Sequence, residues 1–286
     1  MTDDNNKKRL VFFSDTHFGS ISGLLPPAFE TSEGIIQPQN AGQQYLWDCW
    51  QNFGSRVKAF QPDAIIVDGD VVEGTQPKDG GAGLSLRQMV DQKEAALRGL
   101  NILKGGVSDD CKWYFVMGTK YHVGDNGEAE EEIARRVGGE RYSSVGSGIL
   151  VREVLWLYIR GVIIEVAHAI GGATGFYRAT NLDREMQWSA LSGKDETKGV
   201  PKADMIVRAH RHYFMTLGHA SKQGVILPCW QLQTKYARRD SVHRFHPDIG
   251  GVFIIVDPSA KERGEPPCEV LQQLYDIPPV PLTRME

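Results

Sequence analysis

The chain has 286 residues, 41% of them hydrophobic, a formal net charge of −4 and four cysteines. This size allows a large core, and we expect one α/β domain over residues 1–286 with a short N-terminal tail and an extended C-terminal tail. The slightly acidic balance argues against a general basic surface for duplex nucleic acid. The sequence has no C-x-x-C pair, secretory leader or apolar run of about 20 residues, which favours a cytoplasmic protein with reduced thiols and no membrane anchor.

Apolar runs predict the strands. RLVFFS at 9–14, AIIVDGD at 64–70 and CKWYFVMG at 111–118 predict three strands, and the second run is typical of a parallel sheet covered on both faces. From residue 148 the sequence becomes strand-rich, and two apolar runs separated by Arg160 and Gly161 predict a hairpin. Four further strands are predicted in MIVRAHRH, YFMTLGHA, GVILPCW and GGVFIIVD.

Helices are predicted between these strands, at 42–60, along 86–100, at 127–139 and after residue 176. In the third helix we interpret the glutamates of GEAEEE as solvent-facing residues that suit the helix dipole. The GGATG segment before the fourth helix is either an ordinary loop or a phosphate-binding amino end. The residues expected on the inner faces of the second and fourth helices are Leu86, Val90, Leu97 and Leu100, and Tyr177, Leu182, Met186 and Trp188.

The order of these elements indicates the fold class. Strands alternate with helices in the first half, whereas hairpins dominate the second half. We therefore expect an α/β/β/α sandwich of two mixed β-sheets flanked by helices.

Five segments end predicted strands in potential metal ligands. Asp15 and His17 are two residues apart and would project to one side of an extended chain, as would His210 and His212. Asp70 is placed to share its carboxylate between two ions. Because parallel strands bring such side chains to one sheet edge, the set predicts a two-metal site. The segments are SDTHFG at 14–19, VDGDVVEG at 67–74, MGTKYHVG at 117–124, VAHAIGG at 166–172 and RAHRHYF at 208–214.

The ligand types indicate the metals and the chemistry. Carboxylates and imidazoles without thiolates suit manganese, iron, zinc or cobalt. Two such ions about 3.5–4 Å apart can lower the pKa of a bridging water and balance the charge that develops during in-line displacement at phosphorus. We therefore expect two divalent ions, with manganese as the first choice.

The order of the motifs resembles that of the calcineurin-like metallophosphoesterase superfamily, which reads D-x-H, G-D, G-N-H-[ED], a lone His and G-H-x-H. The resemblance implies hydrolysis of a phosphoester by a metal-bridging hydroxide, and it also implies the sandwich fold. By motif position, the first metal would bind Asp15, His17, Asp70 and His212, and the second would bind Asp70, His168 and His210.

The sequence departs from this pattern in two places. Ala209 replaces the usual Gly of the fifth motif, which is a change from one small residue to another. After Gly118 the chain reads TKYH instead of Asn followed by His, which leaves Thr119 at the Asn position. His122 is then either the proton donor to the leaving oxygen or a replacement ligand of the second metal. We favour the donor, because that metal already has two histidines.

Cationic side chains give the only internal evidence on the substrate. Lys120 and Arg211 lie inside metal motifs, and Arg238 and Arg239 lie in a basic stretch at 235–246. They could bind a second phosphate or a nucleic-acid backbone, although such a stretch is also typical of a solvated loop. The stretch GDVVEGT lacks the phosphoprotein phosphatase pattern G-D-x-x-D-R-G.

We therefore expect a phosphodiesterase or nuclease. Its substrate would be a phosphate ester such as a nucleotide or single-stranded nucleic acid. The alternative enzyme is a nucleotide or small-molecule phosphomonoesterase. A catalytically weak metal-binding or scaffolding protein is an alternative of another class.

Overall fold

A computed structural model describes residues 6–142, 148–171, 177–194, 199–219, 222–234 and 246–278. Arg238 and Arg239, most of GGATG and the end of the C-terminal tail lie outside these residues. Within the described residues, none of the helices combines the length and apolar character that crossing a bilayer requires.

The described elements are thirteen strands and six helices. The strands are β1 (Lys8–Phe13), β2 (Phe29–Glu30), β3 (Ile36–Gln37), β4 (Ala64–Asp68), β5 (Lys112–Val116), β6 (Val151–Arg152), β7 (Leu155–Ile159), β8 (Val162–Ala167), β9 (Met205–Arg208), β10 (Met215–His219), β11 (Lys222–Ile226), β12 (Ile249–Val256) and β13 (Cys268–Tyr275). The helices are α1 (Ala41–Phe60), α2 (Met89–Lys104), α3 (Lys120–Val123), α4 (Glu128–Val137), α5 (Thr180–Ser192) and α6 (Pro258–Glu262).

The first sheet has six strands in the order β13-β12-β1-β4-β5-β6. Strands β1, β4, β5 and β6 are parallel, whereas β12 and β13 are antiparallel to their neighbours. Parallel strands end at a common edge, so the segments that follow β1, β4 and β5 leave the sheet side by side.

The second sheet has five strands in the order β10-β11-β9-β8-β7. The hairpins β7-β8 and β10-β11 are joined through β9, which is parallel to both β8 and β11. Arg160 and Gly161 form the two-residue turn between β7 and β8 with φ of 48° and 91°, as a twisted hairpin requires. Both sheets are mixed, as expected.

Three apolar clusters separate four layers. Val11 and Phe13 of β1 face the side covered by α1, α2 and α4. The alternate residues Leu10 and Phe12 pack against the second sheet. Leu182 and its helix α5 cover the outer face of that second sheet. The α/β/β/α sandwich is therefore confirmed.

Several local predictions are wrong. The run before Arg160 is not one strand, because β6 pairs with the first sheet and β7 with the second. The edge strand β13 at Cys268–Tyr275 was not predicted. On the predicted inner faces, Val90 of α2 and Trp188 of α5 are exposed, and Tyr177 is exposed before α5 begins.

Candidate metal centre

The predicted ligands meet where strands of the two sheets end. His168, after β8, places Nε2 3.0 Å from Oδ2 of Asp70, which follows β4. His212, after β9, places Nε2 3.1 Å from Oδ1 of Asp15, which follows β1. The backbone N-H of His210 donates to Oδ2 of Asp15 at 3.1 Å. Side chains from both sheets thus form a single cluster, as the motifs predicted.

Donor atoms in this cluster form overlapping groups in which all members lie within 4.8 Å of one another. Asp15 and Asp70 each occur in two of these groups. Either carboxylate is therefore placed to bind two ions at once, whereas the sequence indicated only Asp70 for this role. The groups are Asp15, Asp70, His168 and His210; Asp15, His17 and His212; and His17, Asp70 and His122.

Unusual backbone conformations aim most of these ligands. Left-handed φ values occur at Asp15 (51°), His17 (45°), Asp70 (48°), His210 (69°) and His212 (55°). Such values are uncommon for residues other than glycine, and they cluster at functional sites where surrounding contacts maintain them. The prediction of an extended chain at each ligand pair is therefore wrong, because β1 ends at Phe13 and β9 at Arg208. Tight turns bring the pairs together.

Two glycines allow the close approach of neighbouring loops. A Cβ on Gly118 would lie 2.3 Å from Oδ1 of Asp70, and a Cβ on Gly69 would lie 2.5 Å from Nδ1 of His168. These distances are far below van der Waals contact. Larger residues at either position would displace a ligand side chain.

Partners outside the predicted set orient two of the histidines. Nδ1 of His168 donates to the carbonyl oxygen of Asp68 at 2.6 Å, which leaves Nε2 directed at the cluster. Nδ1 of His17 lies 2.9 Å from Oε2 of Glu73. Metal-binding histidines are commonly held in this way through their other nitrogen. Sequence reasoning missed Glu73, although its position three residues after Asp70 was a usable signal.

Charge coupling shifts the pKa values of the cluster. Burial by itself raises the pKa of the Asp70 carboxyl, but His168 outweighs it and holds that pKa well below its usual range. Burial by itself lowers the pKa of His17, but Glu73 and Asp15 raise it to about 10. The pKa of His168 is likewise raised well above the ordinary value by Asp70 and Asp15 against the effect of burial. Without cations, His17 and His168 are therefore imidazolium groups beside carboxylates, and a bound cation must displace their protons.

The buried groups fit divalent cations. Nε2 of His17 and both carboxylate oxygens of Asp68 are buried and have no hydrogen-bond partner within the described part of the chain. Burial raises the pKa of Asp68 to about 7, with a further contribution from Asp15. The nearby guanidinium of Arg208 already pairs with Glu165 and Glu185. The centre thus holds an excess of buried carboxylates, for which bound cations would compensate.

The third motif reaches the centre despite its altered spacing. The backbone N-H of Thr119 donates to Oδ1 of Asp70 at 2.6 Å, and its hydroxyl lies 3.1 Å from the same oxygen. Thr119 therefore holds a ligand. The ring centroid of His122 lies 4.6 Å from that of His17, and its Nδ1 donates to the carbonyl oxygen of Glu73 at 2.6 Å. This position is compatible with both roles considered for His122, which are proton donor to the leaving oxygen and metal ligand.

The candidate substrate-binding cations differ in their surroundings. Lys120 is exposed at the start of α3, directly after Thr119. Arg211 instead donates from Nη2 to the carbonyl oxygen of Ile170 at 2.9 Å, so it ties the fifth motif to the loop after His168.

The interpretation of the α4 glutamates as solvent-facing is wrong for Glu130, which is completely buried. Its carboxylate accepts hydrogen bonds from the backbone of Val71 and Gly118. The helical period could have revealed this, because residues 130, 133, 134 and 137 share the buried face of α4.

Comparisons with known proteins give distant structural likenesses. No family model matches the chain, and no curated protein matches it in sequence. An archaeal phosphodiesterase is 9% identical with a TM-score of 0.44, covering 93% of this chain and 99% of its own. Vacuolar protein sorting 29 from Cryptosporidium parvum is 10% identical with a TM-score of 0.44, covering 95% and 99%. Vps29 from Entamoeba histolytica, complexed with zinc, is 10% identical with a TM-score of 0.42, covering 94% and 99%.

At these identities and scores the comparisons assign neither activity nor substrate to this chain. The order of the candidate ligands is seen in the sequence of this chain, and the layered architecture is seen in its structure. Together they resemble the motif order and the fold of the calcineurin-like metallophosphoesterases.

Proposed function

We propose that the protein is a two-metal-dependent phosphoester hydrolase. The observation that carries this proposal is the convergence of two aspartates and five histidines into overlapping donor groups near the ends of strands from both sheets. A buried cluster of this kind is costly to maintain without bound cations. This cost disfavours a purely scaffolding role for the chain.

The donor groups assign ligands to two ions. Asp15, His17 and His212 would hold the first ion, and His168 and His210 the second, with Asp15 and Asp70 in reach of both. When bound, two divalent ions activate water, bind a phosphoryl oxygen and balance the charge that develops in displacement. The groups contain only carboxylates and imidazoles, which supports manganese first and iron, zinc or cobalt as alternatives.

The other residues of the centre prepare these ligands. Thr119 fixes the rotamer of Asp70, and the Asp68 carbonyl fixes the ring of His168. The Glu73 carboxylate does the same for His17. These contacts orient the donor atoms toward the positions that cations would occupy.

A phosphodiesterase or nuclease is the favoured activity. The stretch GDVVEGT lacks the arginine-bearing phosphoprotein motif, and Lys120 offers an exposed ammonium beside the third motif. A nucleotide or single-stranded nucleic acid would place a flanking phosphate near such a charge. A nucleotide or small-molecule phosphomonoesterase is the alternative, since the metal ligands themselves do not distinguish the two esters.

The test is turnover of bis(p-nitrophenyl) phosphate and p-nitrophenyl phosphate by metal-stripped protein, before and after addition of Mn²⁺. We expect turnover to require Mn²⁺, to stop with EDTA and to be faster for the diester. The His168→Ala variant should lose this turnover. The matched control His219→Ala should keep it, because His219 is exposed and bonded to Asp183. Turnover that EDTA leaves unchanged would refute the proposed function, and faster cleavage of the monoester would favour the phosphomonoesterase.

A further inference from the structure

We infer that Glu130 is a positioning residue of the metal centre, whose carboxylate holds the loops of Asp70 and Thr119 together. This inference rests on the proposed function in that it concerns the binding of the metals. Glu130 touches none of the predicted ligands through its side chain, and its role would be to fix their separation.

The carboxylate of Glu130 bridges two loops with one oxygen each. Oε1 accepts from the backbone N-H of Val71 at 3.2 Å, and Oε2 accepts from that of Gly118 at 2.9 Å. Val71 follows Asp70 directly, and Gly118 directly precedes Thr119. The bridge therefore lies one residue from each end of the hydrogen bond between Thr119 and Asp70.

This bridge continues the sheet where its ladder stops. Strands β4 and β5 remain paired as far as Asp68 and Val116, and the two chains then diverge into loops. Beyond that point the N-H groups of Val71 and Gly118 would lack acceptors without Glu130, which is costly for buried backbone. Glu130 supplies both acceptors from helix α4.

The geometry explains why a carboxylate stands at this position. Two N-H donors from different directions require two acceptor oxygens, and a glutamine side chain offers only one. Among the described residues no lysine or arginine forms an ion pair with Glu130. Burial raises the pKa of the Glu130 carboxyl to about 8, so its place in the fold rests on the two backbone donors that its oxygens accept from and not on a fixed charge.

The next residue provides a matched control. Glu131 also bridges two backbone N-H groups, because its Oε2 accepts from Leu150 and Val151, each at 3.0 Å. These donors belong to the start of edge strand β6, which carries none of the metal ligands. Glu130→Gln and Glu131→Gln therefore make the same chemical change on the same helix, and only the first touches the metal loops.

The experiment is calorimetric titration of metal-stripped full-length protein with Mn²⁺, with metal content measured independently and thermal unfolding recorded in EDTA. We expect Glu130→Gln to weaken Mn²⁺ binding about 10- to 100-fold, as removal of outer-shell partners typically does. Glu131→Gln should bind Mn²⁺ like the wild type, and it should lose less thermal stability in EDTA because its remaining oxygen can still accept from Leu150 and Val151. Excess Mn²⁺ should restore turnover in Glu130→Gln.

A second variant keeps the test decisive if Glu130→Gln does not fold. Glu130→Asp keeps both oxygens and the charge but shortens the reach, so it should bind Mn²⁺ more weakly than the wild type. Wild-type affinity in the folded Glu130 variants, or an equal loss in Glu131→Gln, would overturn this inference alone. Absence of Mn²⁺ uptake by the wild type would overturn the proposed function and this inference with it.

Discussion

The two halves of the metal centre differ in their access to solvent. The side chains of His17 and His168 are 3% and 2% exposed, and Asp15 and Asp70 are as deeply buried. The side chains of His210 and His212 are 36% and 27% exposed. The buried half is thus built into the ends of the central strands, and the open half is the side from which a substrate can approach.

The halves also differ in how their side chains are held. Thr119, the Asp68 carbonyl and Glu73 fix the buried ligands through side-chain contacts. In the open half, the backbone N-H of His210 donates to Asp15, and Nε2 of His212 lies 3.1 Å from Oδ1 of Asp15. These contacts are to another candidate ligand, whereas the buried half is held by partners outside the ligand set. We infer that the buried half sets the affinity for metal and that the open half combines ligation with access to the phosphoester.

The strongest test of this comparison replaces one ligand from each half. Asp70→Ala should lose both ions and all turnover, because it removes a carboxylate shared between donor groups and leaves His168 without its partner. His212→Ala should keep one ion per chain, because it removes a half-exposed ligand of a single group. Metal content after dialysis measures both. If the Asp70→Ala variant keeps two tightly bound ions, the Asp15 carboxylate alone is sufficient to bind both.

A smaller effect is expected for His122, which lies at the border of the two halves. If it protonates the leaving oxygen, His122→Ala should keep both metals and lose about 10²- to 10⁴-fold in rate. The loss should be smaller with p-nitrophenolate, because this leaving group needs little protonation. Rates for a series of leaving groups, together with metal content, distinguish the roles. Loss of one metal equivalent, with a defect independent of the leaving-group pKa, would instead make His122 a ligand.

The smallest expected effect is a change in how stability depends on pH. In EDTA, the raised pKa of His17, about 10 against 6.5 in the unfolded chain, contributes stability fully below about pH 6.5. This contribution is lost as the pH rises toward 10. The lowered pKa of Asp70 contributes stability above its unfolded value of 3.8, and this is lost as the pH falls through its folded pKa.

Bound metal should reverse the first trend, because its imidazole ligands must be neutral. The increase in melting temperature on adding Mn²⁺ should therefore grow between about pH 6 and pH 8.5, and activity should fall on acidification. Thermal unfolding with Mn²⁺ and with EDTA at several pH values measures this difference. An increase that is independent of pH would argue against imidazole ligands in the buried half.

The amino-acid sequence by itself predicted the strands of the first half and the candidate metal ligands. Continuous apolar runs identified β1, β4 and β5, and each candidate ligand stands within four residues of the end of a predicted strand. The apolar run that marks a strand and the polar residue that follows it are close together in the sequence. Both can therefore be recognised without knowledge of the tertiary structure. Parallel pairing brings Asp15 beside Asp70 in the first sheet and His168 beside His210 in the second, whereas the packing of the two sheets brings these pairs together.

Tertiary structure alone decided how these ligands are aimed and supported. The left-handed turns at Asp15 and Asp70, the contact between Glu73 and His17, and the division between β6 and β7 depend on distant parts of the chain. Glu130 is the clearest case, since it bonds residues 59 and 12 positions away. A glutamate in the first turn of a helix interacts favourably with the helix dipole whether it is exposed or buried, so the sequence pattern does not distinguish Glu130 from its neighbours. Only the packing of α4 against the ends of β4 and β5 buries this one and gives it two backbone donors.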